Sequence, residues 1–203
     1  MTLSIPPHWT TILNEIKAAG FPEAVVAGGA MRDLYFGKPH KDLDIFIQTG
    51  PAPAGLASAI NILKREFGSP TAVCTAPCVY MGWNPEVAGF VNFTIHGEDV
   101  QIVGINRDAF SMAAILRRID FGICQIGWDG TNIEFTTAFF TDVANRTFTV
   151  NRQDNDNDLS RTYRRFERIS ARYPEHRIVV PAGQMTFEEW QRKEGSCLPF
   201  QFS

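Results

Sequence analysis

Apolar positions along the chain recur at two periods, and the change from one to the other predicts the order of elements. Trp9, Ile12, Leu13 and Ile16 fall three and four apart, the spacing of one helix face, and Gly20 supplies a left-handed stop. Pro6-Pro7 discourage an earlier start. Ala24-Val25-Val26-Ala27 predicts a short strand, broken by Gly28-Gly29 and followed by a two-turn helix from Ala30 to Phe36 that Gly37 ends. From Asp42 to Ile47 the period is two: Leu43, Ile45 and Ile47 point one way, Asp42, Asp44 and Phe46 the other. Helical spacing returns from Ala54 to Phe67 through Leu56, Ile60 and Leu63, with Gly68 and Pro70 as the stop. Strands are predicted over Val73–Met81, Phe90–Ile95 and Asp99–Ile105, the last two joined by His96-Gly97-Glu98.

Further on, Asp108 to Arg117 predicts a short helix, and Phe121–Trp128, Asp129-Gly130 and Asn132–Thr136 predict a hairpin. Asp120 and Asp142, in the segment 119–149, read as caps or solvated turn residues. The character changes past Val150. Asn151 to Asp158 is a polar run whose last residue is placed to cap a helix from Leu159 to Tyr173, stopped by Pro174. A last short helix is expected from Thr186 to Lys193, with Glu188 and Glu189 in its first turn. The division expected is a domain over 1–150 and a helical extension over 151–203 packed on it.

Composition narrows the classes. The 203 residues are 44 % apolar and 20 % charged with a formal charge of −3, an ordinary globular balance that needs no metal or disulfide to staple its core. No run approaches the length of a membrane span, and the first residues do not read as a signal peptide. Four unevenly spaced cysteines do not suggest a disulfide framework, so the expected setting is the reducing cytoplasm. Cys74-x-x-x-Cys78 is poor zinc spacing. No Rossmann or Walker A motif is present.

The chemistry concentrates between residues 28 and 44. Asp42 and Asp44 are two apart on a predicted strand, so both carboxylates leave one face with Cα atoms about 6.6–6.8 Å apart. Such a pair suits a hard cation such as Mg²⁺. Gly28-Gly29 sit where a strand hands over to a helix. There the missing side chains admit a ligand to the backbone, and the first amides of the helix favour an anion such as phosphate. A phosphate seat beside a cation seat is therefore expected.

Gly28-Gly29-x-x-Arg32-Asp33 followed by Gly37-Lys38-Pro39-x-Lys41-Asp42-x-Asp44 resembles the signature of the DNA polymerase beta-like nucleotidyltransferases, in the form found at the head of tRNA CCA-adding enzymes and bacterial poly(A) polymerases. The match is close over residues 24–47 and holds in outline to 105. The resemblance implies an α+β nucleotidyltransferase fold, a mixed, mostly antiparallel sheet backed by helices. It implies that Gly28, Gly29, Arg32, Asp33 and Lys41 serve a nucleoside triphosphate, ATP among them, and that Asp42 and Asp44 bind Mg²⁺ or Mn²⁺. Members use a third acid on a neighbouring strand; here the central polar position holds Gln101, and Asp99 is the replacement expected as catalytic and metal-binding residue. The helical regions that follow the head in CCA-adding enzymes have no counterpart in this sequence. That points to a minimal member, as in small stand-alone transferases, toxin–antitoxin or defence systems and phages.

Arg161, Arg164, Arg165, Arg168 and Arg172 stand against Glu167 alone, spaced three or four apart, so that most share one face. They read either as a surface helix or as contacts to a triphosphate or nucleic acid. Two functions follow. One is transfer of a nucleoside monophosphate to a hydroxyl of RNA, tRNA included, or of a protein. The other is a catalytically silent nucleotide-, RNA- or protein-binding inhibitor or decoy, favoured by Gln101. Neither involves a membrane.

Overall fold

In the computed structural model, residues 3–50, 54–75, 86–106, 108, 110–151 and 156–195 are described. The chain runs α1 (Pro7–Ala18), β1 (Val25–Ala27), α2 (Gly29–Tyr35), β2 (Leu43–Thr49), α3 (Ala54–Phe67), β3 (Ala72–Thr75), β4 (Val87–Ile95) and β5 (Glu98–Asn106). It continues through α4 (Met112–Arg118), β6 (Ile126–Trp128), β7 (Ile133–Phe135), α5 (Thr137–Asn145), β8 (Thr147–Thr149), α6 (Asp156–Ser170), β9 (Arg177–Val179) and α7 (Phe187–Gly195).

Seven strands form one sheet in the order β3-β4-β5-β2-β1-β6-β7. Every neighbouring pair is antiparallel except β2 with β5. The strict alternation of β2 gives the sheet two unlike faces. Leu43, Ile45 and Ile47 are fully buried against α1 and α3, where Trp9, Ile12, Leu13, Ile16, Leu56 and Leu63 close a dry core. Each such side chain contributes roughly 1.5–3 kcal/mol by leaving water. On the other face Val25, Ala27 and Phe46 meet a second core built from α4, α6, α7 and the small parallel β8–β9 sheet. Asp42 and Asp44 emerge on that second face.

Several sequence expectations shift. The strand from Val73 ends at Thr75, and residues 76–81 of that expectation, with Cys78, lie outside the described residues. The β4–β5 turn is tight because His96 and Gly97 both adopt positive φ, the pattern of a type I′ hairpin. The helix foreseen from Asp108 begins instead at Met112, where the Ser111 hydroxyl accepts the Ala114 amide. Only Ile126–Trp128 and Ile133–Phe135 pair as a hairpin. The stretch before them closes into a 3₁₀ turn, Gly122–Cys124, because the Asp142 carboxylate takes the Ile123 amide at 2.7 Å. Helix α5 was not foreseen; Thr136 caps it by accepting the Phe139 amide.

Asp142 is wholly buried and also accepts from both the Thr147 hydroxyl and the Thr149 amide. It locks a turn, but no solvent reaches it. Asp158 lies inside α6, which starts at Asp156, so it does not precede that helix as a cap. Thr186 and Glu189 form a reciprocal capping box at the start of α7.

Candidate nucleotide site

The site forms where β1 turns into α2 and the adjacent strand β2 begins. Gly28 has φ +94°, a conformation that side chains oppose, and its amide still bonds the Ile126 carbonyl of β6. The chain therefore turns sharply at the sheet edge of α2, leaving the first-turn amides of Gly29, Ala30 and Met31 without intrahelical acceptors. A Cβ on Gly28 would stand 3.6 Å from the Asp44 carboxylate, and one on Gly29 would stand 3.9 Å from the guanidinium groups of both Arg32 and Arg165. A side chain at Gly28 would thus touch the Asp44 acid, and one at Gly29 the Arg32 and Arg165 cations.

Burial lifts the Asp44 carboxyl to about 6, Arg165 pulls it back down, and Asp42 adds to the rise. Asp42 is half-buried, and Lys41, whose side chain is 86 % exposed, stands 3.4 Å from its carboxylate. Arg165 reaches the site from α6 and is held by Asp120 at 2.9 Å. That acid is the first cause of a raised Arg165 pKa, outweighing the burial that opposes it. Asp120, read from sequence as a cap or turn residue, instead belongs to the site's edge. Its signal lay in a contact spanning 45 residues, which no local spacing reveals.

Arg32 and Asp33 are buried beside the glycines, where the Arg32 guanidinium comes as near the Gly29 Cβ position as Arg165 does. Both are 2 % exposed. Arg32 donates to Asp33, to the Tyr173 hydroxyl and to the Cys124 sulfur, and its guanidinium lies 5.1 Å from the Tyr173 ring centroid. Burial works against its charge, but Cys124, Asp33 and Tyr173 together hold its pKa above the ordinary value.

Toward β5 the picture differs. Asp44 is in register with Gln101, whose amide donates to Asn92 of β4 at 3.1 Å. Asp99 shares their face, pairs with Thr94 across the β4–β5 hairpin, and is exposed. Among the described residues no three His, Cys, Asp or Glu side chains converge as metal ligands, so Asp99 does not close a three-acid cluster with Asp42 and Asp44.

The arginine row also divides, and α6 ends at Ser170, short of the expected Tyr173, so that Arg172 lies in the turn after it. Arg165 and Arg172 turn inward, the latter to Asp33 at 3.0 Å and to the Pro39 carbonyl at 2.8 Å. Arg164 pairs with Glu194 at 3.2 Å, and Arg168 is exposed. The row is therefore no uniform phosphate-facing surface; Arg172 braces α2 and the following loop from behind.

Residues 8–146 match the Gabija anti-defense 2 (Gad2) family. The chain belongs to that family. No functionally curated protein matches this Gad2 chain. Among solved structures, a tRNA-processing enzyme in an apo form superposes with a TM-score of 0.58 at 18 % identity, over 97 % of this chain and 49 % of that one. A Thermotoga maritima CCA-adding enzyme complexed with tRNA gives 0.57 at 17 % identity, over 94 % and 43 %. A Bacillus stearothermophilus CCA-adding enzyme in complex with CTP gives 0.55 at 20 % identity, over 87 % and 42 %. The Gad2 chain thus has the nucleotidyltransferase fold and spans less than half the length of these enzymes. Among the described residues no helix is long and apolar enough to cross a membrane.

Proposed function

We propose that this Gad2-family chain is a divalent-cation-dependent nucleotidyltransferase acting in the cytoplasm. The observation that carries the reading is the juxtaposition of Gly28 with the Asp44 carboxylate and of Gly29 with the Arg165 guanidinium, whose charges interact. The amides at the start of α2 and Arg165 would hold the triphosphate of an NTP, with the exposed Lys41 adding charge at the mouth.

The donor set fits a cation. Asp42 and Asp44 are hard oxygen ligands on one strand face, and burial raises the Asp44 pKa against the pull of Arg165, with Asp42 adding to the rise. Two carboxylates leave the remaining positions to phosphate oxygens and water. Mg²⁺ or Mn²⁺ bound there would offset phosphate charge and ease deprotonation of the attacking hydroxyl. In the transfer itself the acceptor oxygen bonds to the α-phosphorus, the bond to the β-phosphate breaks, and pyrophosphate leaves. Asp99, on the same sheet face, is the residue assigned to take the hydroxyl proton.

The acceptor is a hydroxyl on RNA, tRNA among the candidates, or on a protein. Membership of an anti-defense family favours a component of the Gabija system as acceptor or partner. A second reading is a catalytically silent binding protein, and one observation favours it: the neutral Gln101–Asn92 pair stands beside Asp44 where a further acid would serve transfer. Incubation with each α-labelled NTP, Mg²⁺ or Mn²⁺, total tRNA and a lysate containing the Gabija proteins separates the two. The transferase reading expects label on one acceptor class, lost in Asp42→Asn. Labelling of nothing, with nucleotide still bound, would leave the silent reading standing.

A further inference from the structure

The loop from Gly37 to Asp42 carries one acid of the site into β2 and has few backbone bonds of its own. It is anchored from α2, where the Asp33 carbonyl accepts the Lys38 amide, from β5, where Glu98 bonds His40 at 2.7 Å, and from the turn that follows α6. Arg172 donates from one guanidinium nitrogen both to Asp33 of α2 and to the carbonyl of Pro39 in the loop. Lys38 answers in the opposite direction: its ammonium donates to the Arg172 carbonyl and lies 4.5 Å from the Tyr173 ring centroid. Tyr173 donates to Asp33 at 2.6 Å. Asp33 thus gathers Arg32, Arg172 and Tyr173, three donors from two helical regions some 140 residues apart in sequence.

We infer that Arg172 is a positioning residue that clamps the Gly37–Asp42 loop between α2 and the turn after α6 and so sets where Asp42 stands relative to Asp44. This rests on the nucleotidyltransferase reading for its functional meaning, though the clamp itself does not. Asp33 is 2 % exposed, so its charge is committed to these partners and cannot serve a ligand in solvent. The Arg172 side chain is 34 % exposed, which leaves it open to substitution without cutting into the apolar core. Two opposed bonds, Arg172 to the loop and Lys38 to the helix end, resist displacement of the loop in either direction.

A protease must draw several residues into an extended conformation, so cleavage of a loop reads its release from anchors. Trypsin acting after Lys41, giving fragments 1–41 and 42–203, is the direct probe, with cleavage after Arg65 and Arg117 as internal reference. Arg172→Ala should speed the Lys41 cut about tenfold with the reference cuts unchanged. Lys38→Met attacks the same clamp from the loop side while leaving Asp33 its partners. It should act in the same direction, and it keeps the test open should Arg172→Ala fold poorly. Arg172→Lys, which keeps a donor and a charge beside Asp33, should restore much of the protection. In parallel, Mn²⁺ titration should weaken about tenfold in Arg172→Ala. Wild-type cleavage rates in both Arg172→Ala and Lys38→Met would overturn the clamp. Faster cleavage with wild-type Mn²⁺ affinity would overturn its link to the acids. A wild type that binds no Mn²⁺ would instead defeat the transferase reading, while the cleavage rates still decide the clamp.

Discussion

The two flanks of Asp44 are built from opposite chemistry. Toward β1 it meets Gly28, Gly29, Arg165 and Asp120, a compact set in which acids and a cation are held against each other. Toward β5 it meets Gln101 and Asn92, a neutral amide pair satisfied by its own hydrogen bond. The first flank is the one proposed to receive an anion together with its counter-ion. The second is finished without a ligand. In the proposed reading nucleotide binding therefore falls to the β1 side, and substitutions there should weaken NTP binding by orders of magnitude more than those on the β5 side.

The largest effect is expected at Gly29. Its backbone is not in the left-handed region, so Gly29→Val should fold with stability changed by no more than about 1 kcal/mol. The branched carbons would reach the Arg165 and Arg32 guanidinium groups, and NTP affinity should fall about a hundredfold or more. Titrations of a fluorescent NTP analogue beside thermal melts check this; parallel loss of folding and binding would mean the glycine serves the turn alone.

Arg165→Ala comes next. Loss of one charge-assisted phosphate contact should weaken NTP about tenfold to a hundredfold. It also strands Asp120 beside Asp44. Since Arg165 now holds the Asp44 pKa down, that pKa should rise above 6 in the variant, observable by carboxyl NMR titration. Asp120→Asn should reproduce part of the binding loss by freeing Arg165 from its partner.

Asp44→Asn should abolish Mn²⁺ binding yet stabilise the fold. The sign follows from the raised pKa. Folded Asp44 holds its proton more tightly than in the unfolded chain, so the ionised form costs stability above about 6, and that cost vanishes as pH falls from 6 toward 4. At pH 7.5 the Asn variant should gain about 1–2 kcal/mol, a few degrees in Tm, and the gain should shrink to nothing near pH 4. Equal Tm at both pH values would show that Asp44 is ionised without penalty.

On the β5 flank the effects should be small for binding. Asp99→Asn should leave NTP affinity within about threefold, since the residue is exposed and contacts Thr94. Gln101→Glu places a charge in register with Asp44. It should lower stability by about 1 kcal/mol without cation and strengthen Mn²⁺ binding. A large loss of NTP binding in either variant would erase the contrast between the flanks.

Much of the fold was legible because its signals are local. The period-two run Leu43–Ile47 and the i, i+3, i+4 positions of α1 place their buried residues without exception. The acids and glycines of the candidate site stand out by spacing and by the handover from strand to helix. What escaped were features made by distant partners. Helix α5 and the 3₁₀ turn before β6 depend on Asp142 reaching back 19 residues to the Ile123 amide. Asp120 gains its place only through Arg165, and the arginine row loses its uniformity because Arg172 finds Asp33. Helical spacing alone could not distinguish an arginine that faces a ligand from one that braces the site from behind.

One titration decides whether the glycines and the acid pair form a single site. Wild type and the double variant Asp42→Asn/Asp44→Asn are compared for ATP binding by calorimetry at pH 7.5, with and without Mn²⁺. The glycines and the acid pair are one site if Mn²⁺ strengthens ATP binding in wild type and has no effect in the folded double variant. Equal Mn²⁺-dependence in both proteins would contradict it, placing the cation, and with it the chemistry, elsewhere on the molecule.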